Sequence, residues 1–197
     1  MNKIFFATTF FSIILLQTNA QVNLGLKIGT NASKITGAGF DENYKFNYLA
    51  GVAASINLGN KWQVVPEVLF TQSTTTTSTQ FSSFYSGAGA SAQSNLRTNK
   101  LNTLALPVVL RKGSGSVKWE IGGQYAILMD NNKNLLQNGE SAFKNGDFSA
   151  IGGVYLKLPA KLYANARYLI GLNNLNDITN NSTWRSQSIQ LAVGFNF

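Results

Sequence analysis

The chain has 197 residues, which favours a single domain, and it carries 16 Lys and Arg residues against 8 Asp and Glu residues. Charged residues make up 12% of the sequence, about half the usual share in a soluble globular protein. The absence of Cys and His excludes disulfide scaffolds, thiol catalysis and most zinc sites, and it removes the commonest general base.

The N-terminal segment has the parts of a secretory signal peptide. Lys3 makes the start positive, residues 4–16 are mainly apolar, and Ala20 is the small residue expected at a cleavage site. The apolar run is shorter than the roughly 20 residues of a membrane-spanning helix, which disfavours the alternative of an N-terminal anchor. We therefore expect a signal peptide at residues 1–20 and one barrel domain at residues 21–197.

The rest of the chain alternates between apolar and polar residues with a period of two, which is typical of β-strands. Segments of about ten residues suit strands that cross a membrane at a tilt. The alternating segments, in chain order, are residues 22–28, 44–58, 62–70, 104–110, 117–129, 148–158, 162–172 and 189–197.

The connections between these segments alternate in length. Short turns at one end and long loops at the other are typical of outer-membrane barrels, where the short turns face the periplasm. An even number of strands then places both chain ends in the periplasm and the long loops outside the cell. The short turns lie near residues 59–60, 113–116 and 159–160, and the long links near 32–44, 72–100, 130–146 and 173–186.

Three features indicate that the apolar row faces lipid. Large aromatic residues gather at the strand ends, as in the two girdles of a membrane barrel. The opposite row is small or polar and has too few charges for a soluble surface. The last strand ends in Phe197 after apolar residues at alternate positions. The predicted girdle residues are Trp62, Trp119 and Phe197 near the short turns, and Phe46, Tyr48, Phe70 and Phe148 near the long loops.

These patterns predict an all-β fold, an eight-stranded antiparallel up-and-down transmembrane β-barrel preceded by a cleaved signal peptide. The expected location is the outer membrane of a Gram-negative bacterium. A soluble lipocalin-like ligand-binding barrel is the alternative, because periodicity alone does not tell which row faces the interior.

Four short motifs lie on the predicted strands: residues 25–33 (GLKIGTNAS), 66–70 (PEVLF), 104–107 (LALP) and 166–172 (ARYLIGL). In their order and spacing they resemble the PorT-like outer-membrane β-barrel proteins of Bacteroidota. Ala105 differs from the family pattern, which usually has Glu there. The resemblance implies the fold and the membrane location, and one branch of that family serves protein export across the outer membrane.

The predicted inward row carries charged residues at similar depths. We expect Glu67 and Arg167 to meet across the lumen with Lys27 nearby, because strands three and seven face each other and the interior is narrow. An unpaired buried charge costs several kcal/mol. Arg111 and Glu120, on neighbouring strands, form a second expected pair. This lumen network would act either as a structural plug or as a gate.

The longest predicted loop has an unusual composition. Residues 71–95 contain no charge and begin with a run of threonines. Such a sequence normally forms a solvated loop; the alternative is a binding loop that makes its contacts through Phe81, Phe84 and Tyr85. Because Thr has high β-propensity, we also expect strands three and four to extend beyond the membrane.

The sequence predicts no catalytic residue, no cofactor and no metal site. Without His an enzyme would need an Asp/Glu or Ser/Lys site, and Asp130 with Lys133 is too small a basis for one. We therefore expect a small non-enzymatic barrel with a structural, porin-like or surface-interaction role. An accessory component of an outer-membrane protein-secretion system is the alternative.

The expected partners follow from the location. They are outer-membrane lipids, the barrel-assembly machinery through the C-terminal strand that ends in Phe197, and secretion-system proteins under the alternative. Nucleic acid is not expected, because Lys and Arg are scattered along an exported chain.

Overall fold

The structure, a computed structural model, describes residues 22–37, 39–78, 98–129, 146–176 and 183–197. Within them eight antiparallel strands close into a barrel in chain order, and the first strand pairs with the last. This confirms the predicted fold. The strands are β1 (Val22–Thr36), β2 (Lys45–Gly59), β3 (Trp62–Thr76), β4 (Thr98–Lys112), β5 (Val117–Leu128), β6 (Gly146–Lys157), β7 (Leu162–Gly171) and β8 (Arg185–Asn196).

Five strands, β1, β3, β4, β6 and β8, extend further at their long-loop ends than the alternation predicts. The threonine run continues β3 as far as Thr76, which pairs with Thr98 of β4. These two strands are therefore longer than their apolar rows, and their extension beyond the membrane stays a prediction. The alternation misses such extensions because strand pairing needs backbone groups, whereas an apolar row is needed only where the wall meets lipid.

Two of the short turns have left-handed backbone at both of their central residues. Asn60 and Lys61 have φ of 47° and 66°, and Ala160 and Lys161 have φ of 56° and 59°. Positive φ at both central residues defines the type I′ turn, whose twist matches that of the flanking strands. Both turns lie where the sequence predicted short connections.

Burial is reversed relative to a soluble protein. Apolar residues such as Ile28 and Ile121 point outward with 61% and 66% of their surface exposed, whereas Lys27 and Glu120 point inward and are buried. An apolar outer wall around a polar interior is the arrangement of a membrane barrel and not of a soluble one. No helix that is long and apolar enough to span a membrane occurs in the described ranges.

Candidate functional site

A network of five charged side chains crosses the lumen in the half of the barrel nearer the short turns. Each of its members is at most 4% exposed. Because they come from five strands, they meet only when the barrel closes. The members of this lumen network are Lys27 on β1, Glu67 on β3, Arg111 on β4, Glu120 on β5 and Arg167 on β7.

Arg167 lies at the centre of the network and contacts both carboxylates. Its Nη1 and Nη2 donate to Glu67 Oε2 and Oε1 at 2.8 and 2.7 Å. Its Nε donates to Glu120 Oε2 at 2.7 Å, and its Nη2 to Glu120 Oε1 at 3.2 Å. The planar guanidinium suits this use, since it presents its donors in a rigid fork that matches carboxylate geometry.

The remaining cations each bind one of the carboxylates. Lys27 Nζ donates to Glu67 Oε2 at 3.0 Å. Arg111 donates to Glu120 Oε1 through Nε at 2.9 Å and through Nη2 at 2.7 Å. The structure thus brings together both predicted pairs and joins them into one network through Arg167 and Glu120, a contact that the sequence analysis missed. Three cations and two carboxylates leave the network with a net charge of 3 − 2 = +1.

A glycine makes room for the contact between Glu120 and Arg167. Gly153 of β6 pairs with Glu120 on one side and with Arg167 on the other, so the three residues form one row across three strands. The two charged side chains meet over a position that has no side chain. A Cβ atom at Gly153 would lie 2.6 Å from the Ala166 carbonyl oxygen and 2.8 Å from Arg167 Cγ.

Two tyrosines and an asparagine, which the sequence analysis did not name, complete the charged layer. The Arg111 guanidinium lies over the ring of Tyr155 at 3.7 Å, and that ring stacks on Tyr163 with centroids 5.2 Å apart. When the Asn165 amide oxygen is turned toward the cations, it accepts hydrogen bonds from Lys27 Nζ and Arg167 Nε at 3.1 Å. The sequence showed that both tyrosines point inward, since each has the parity of the inward row of its strand.

A chamber of about 90 Å³ lies at the long-loop end of the lumen. It is lined by polar atoms that have no hydrogen-bond partner in the described part of the chain. Amide and carboxylate oxygens predominate among them, so this loop-end chamber suits guests that donate hydrogen bonds, of which water is the simplest. The residues concerned are Asn31, Ser33, Thr75, Gln124, Asp147 and Gln190.

Trp184 lies beside the loop-end chamber and is fully buried. Its ring meets Phe40 edge to face with centroids 4.7 Å apart, and its backbone N–H donates to Asn174 Oδ1 at 2.8 Å. The ring contact joins the link after β1 to the link after β7, and the hydrogen bond lies within the second of these links. Trp184 lies in a long link of the predicted fold and had no predicted role, because no periodic pattern marks a buried side chain in a link.

A second chamber, of about 230 Å³, lies at the short-turn end. It is lined by the basic residues Arg111, Lys118, Lys157 and Lys161. This turn-end chamber shares no lining residue with the loop-end chamber. The lumen network and buried apolar residues such as Leu69 lie between the two.

A family model for the outer membrane protein beta-barrel domain matches residues 16–177 of the chain. The chain belongs to this family. The protein is therefore an outer-membrane β-barrel, and the soluble lipocalin-like alternative is wrong.

Solved outer-membrane barrels share the fold of this outer-membrane β-barrel. Neisserial surface protein A is 12% identical and superposes with a TM-score of 0.50, covering 90% of this chain and 99% of its own. Ail of Yersinia pestis, in complex with the heparin analogue sucrose octasulfate, is 13% identical with a TM-score of 0.52 and the same coverage. Identities this low show a shared fold and nothing finer. A search of curated protein sequences found no match.

The predicted girdle residues of this outer-membrane β-barrel lie on its outer wall. Most are near strand ends, but Phe70 lies in the middle of β3, because that strand continues to Thr76. At the long-loop end, Phe46 and Phe148 are 78% and 57% exposed, and Tyr48 stacks on Phe70 with centroids 6.2 Å apart. At the short-turn end the residues are Trp62, over which Lys112 Nζ lies at 4.5 Å, and the exposed Trp119 and Phe197.

Two predicted features lie outside the described residues. The signal peptide at residues 1–20 is one, and the loop contact residues Phe81, Phe84 and Tyr85 are the other. Both stay predictions.

Proposed function

We propose that this barrel is a closed, non-conducting anchor that holds its long loops at the cell surface, with a structural or surface-interaction role rather than that of a pore or an enzyme. One observation carries the proposal: five mutually paired, buried charged side chains cross the lumen between chambers that share no lining residue. In this reading the lumen network is a structural plug and not a gate.

The energetics of the network favour the plug. A solute on its way through the lumen would have to separate ion pairs such as Arg167 with Glu67, which bond through two parallel contacts of 2.7 and 2.8 Å. Separating buried charge pairs costs several kcal/mol. An eight-stranded barrel also has an interior only wide enough for its own side chains.

The charged groups of the lumen do not resemble a catalytic site. Glu67 and Glu120 each accept hydrogen bonds from two cations, so neither is free to act as a general base. In the described ranges, no group of three or more acidic residues could hold a metal ion. A non-enzymatic role fits this arrangement best.

The proposal includes an orientation and a set of partners. The short turns and both chain ends would face the periplasm, as the alternation of turn lengths in outer-membrane barrels suggests. Outer-membrane lipids would cover the apolar wall. The barrel-assembly machinery would engage β8, which leads into Phe197. The signal peptide at residues 1–20 would direct export and be removed.

Conductance measurements test the anchor directly. Protein refolded into planar lipid bilayers is expected to give no channel steps above the protein-free baseline, because the paired network closes the lumen. The conductance of the Glu67→Gln variant distinguishes a plug from a gate, because a gate would show an altered conductance in this variant. Discrete steps from the wild-type protein would overturn the proposal.

Deleting part of the longest loop tests the surface role. Removal of residues 79–95 leaves the Thr76–Thr98 pairing intact, so we expect a barrel with unchanged heat-dependent gel mobility. Adhesion of whole cells to solid surfaces is expected to fall. A variant of full loop length, with Phe81, Phe84 and Tyr85 all replaced by Ser, should lose adhesion equally. Unchanged adhesion in both variants would contradict a binding role and would mean that the loop is only a solvated connection.

Participation in protein secretion is a second candidate function, and the resemblance to PorT-like proteins supports it. Three of the four resembling motifs supply the charged residues Lys27, Glu67 and Arg167 that meet in the lumen network. A structural role in the barrel interior is therefore enough to explain these motifs. This favours the anchor over a secretion role for these three residues. Deleting the gene and comparing the proteins released into the medium tests the secretion role. Loss of a set of secreted proteins, restored by the wild-type gene, would support it.

A further inference from the structure

We propose that the turn-end chamber binds a small multivalent oxyanion of the phosphate class, held by Lys118, Lys157 and Lys161 above Arg111. This site is independent of the anchor role, because it requires only one open end of the lumen and no passage through it.

The charge of the chamber carries the argument. Among the described residues that line it, four are basic and none is Asp or Glu. Lys118, Lys157 and Lys161 form no ion pair with any described residue. Like charges gathered in a concave site with walls of low dielectric concentrate the field and attract counter-ions.

The deeper cations of the chamber are positioned by neighbouring side chains. Arg111 is held between Glu120 and the ring of Tyr155, as described above. Lys118 Nζ donates to Gln63 Oε1 at 3.1 Å and lies 5.9 Å from the centroid of the same ring. Two cations are therefore held on one aromatic ring, whereas Lys157 lies at the exposed rim, where its long side chain can close over a guest.

The size of the chamber limits the ligand. The volume of the chamber is about 230 Å³. Pockets for drug-sized ligands begin at about 300 Å³. Phosphate and diphosphate are therefore suitable guests, with amides such as Gln63 and Asn196 in the lining as further hydrogen-bonding groups.

A phosphate group could come from a free anion or from a phospholipid headgroup. Different lysines would contact these two sources. Lys118 and Lys157 line the chamber inside the barrel. Lys112 lies over Trp62 on the outer wall, and Lys61 is exposed in the adjoining turn. The inner pair would meet a free anion, and the outer pair would meet headgroups.

Binding of inorganic diphosphate to the refolded full barrel tests the proposal. The barrel is held in uncharged detergent micelles without phospholipid, at low ionic strength, and binding is followed by titration calorimetry and ³¹P NMR. We expect saturable binding of one diphosphate per barrel. The double variant Lys118→Gln, Lys157→Gln should weaken it about tenfold or more, which corresponds to about 1.4 kcal/mol.

The matched control also neutralises two lysines at the short-turn end, but these two lie outside the chamber. Lys61→Gln with Lys112→Gln should leave the diphosphate affinity within about twofold, because these charges lie outside the chamber and are screened. Equal weakening in both double variants, or absence of saturable binding to the wild type, would overturn the proposal. If the inner double variant does not fold, the single rim variant Lys157→Gln takes its place and must show weaker binding.

Vesicles distinguish the two sources of phosphate. Wild-type barrels are reconstituted with zwitterionic or with anionic phospholipids, and the diphosphate titration is repeated. A free-anion site predicts binding in both vesicle types. Loss of binding only in anionic vesicles would show that headgroups occupy the chamber and would overturn the free-anion assignment. Neither result bears on the conductance test of the anchor.

Discussion

Glu67→Gln is expected to lower the free energy of unfolding by about 3–5 kcal/mol, because it removes one partner from a buried ion pair. Glu67 is the one carboxylate within hydrogen-bond distance of Lys27 among the described residues, and Lys27 is 1% exposed. The substitution would leave a buried ammonium without a counter-charge, and the amide would offer Arg167 one acceptor oxygen in place of two. Urea unfolding in lipid vesicles, followed by tryptophan fluorescence, measures the loss.

Two further variants test whether the loss of stability comes from the unpaired charge of Lys27. Glu42→Gln neutralises an exposed carboxylate between β1 and β2 and should change stability by less than about 1 kcal/mol. Adding Lys27→Met to Glu67→Gln should recover part of the lost stability, because the unpaired ammonium is then gone. A double variant less stable than Glu67→Gln alone would contradict this account of the network.

Gly153→Val is expected to destabilise the barrel by about 3 kcal/mol or more, because a side chain at this position both overpacks the interior and separates Glu120 from Arg167. Its Cβ would lie 2.6 Å from a backbone oxygen, which cannot move without shifting β7. The same urea titration measures the effect. Heat-dependent gel mobility shows whether the variant still closes into a barrel.

The neighbouring glycine provides a matched control for Gly153→Val. Gly152 faces outward, and a Cβ added there meets no atom within 4 Å. Gly152→Val should therefore be neutral or slightly stabilising, since a β-branched residue suits a strand. Equal destabilisation by both substitutions would mean that the loss comes from strand backbone effects and not from the ion pair.

The sequence by itself determined the strands, their order and the face of each that is apolar. Alternation places Ile28 and Lys27 on opposite sides of the wall, and consecutive strands joined by short and long links leave little freedom in their arrangement. The pairing of Arg111 with Glu120 was predictable for the same reason, because they lie on neighbouring strands. Strands such as β1 were predicted too short, since backbone pairing continues after the apolar row ends.

Only the tertiary structure decided how the interior is filled. Periodicity shows that a side chain points inward but not how far it reaches or over which neighbour, so the contact between Arg167 and Glu120 across Gly153 could not be predicted. Trp184 is buried against Phe40, a residue of another link, and the alternation does not predict contacts between links. The division of the lumen into an oxygen-lined chamber and a basic chamber arises where residues from many strands meet, and it exists only once the sheet has closed.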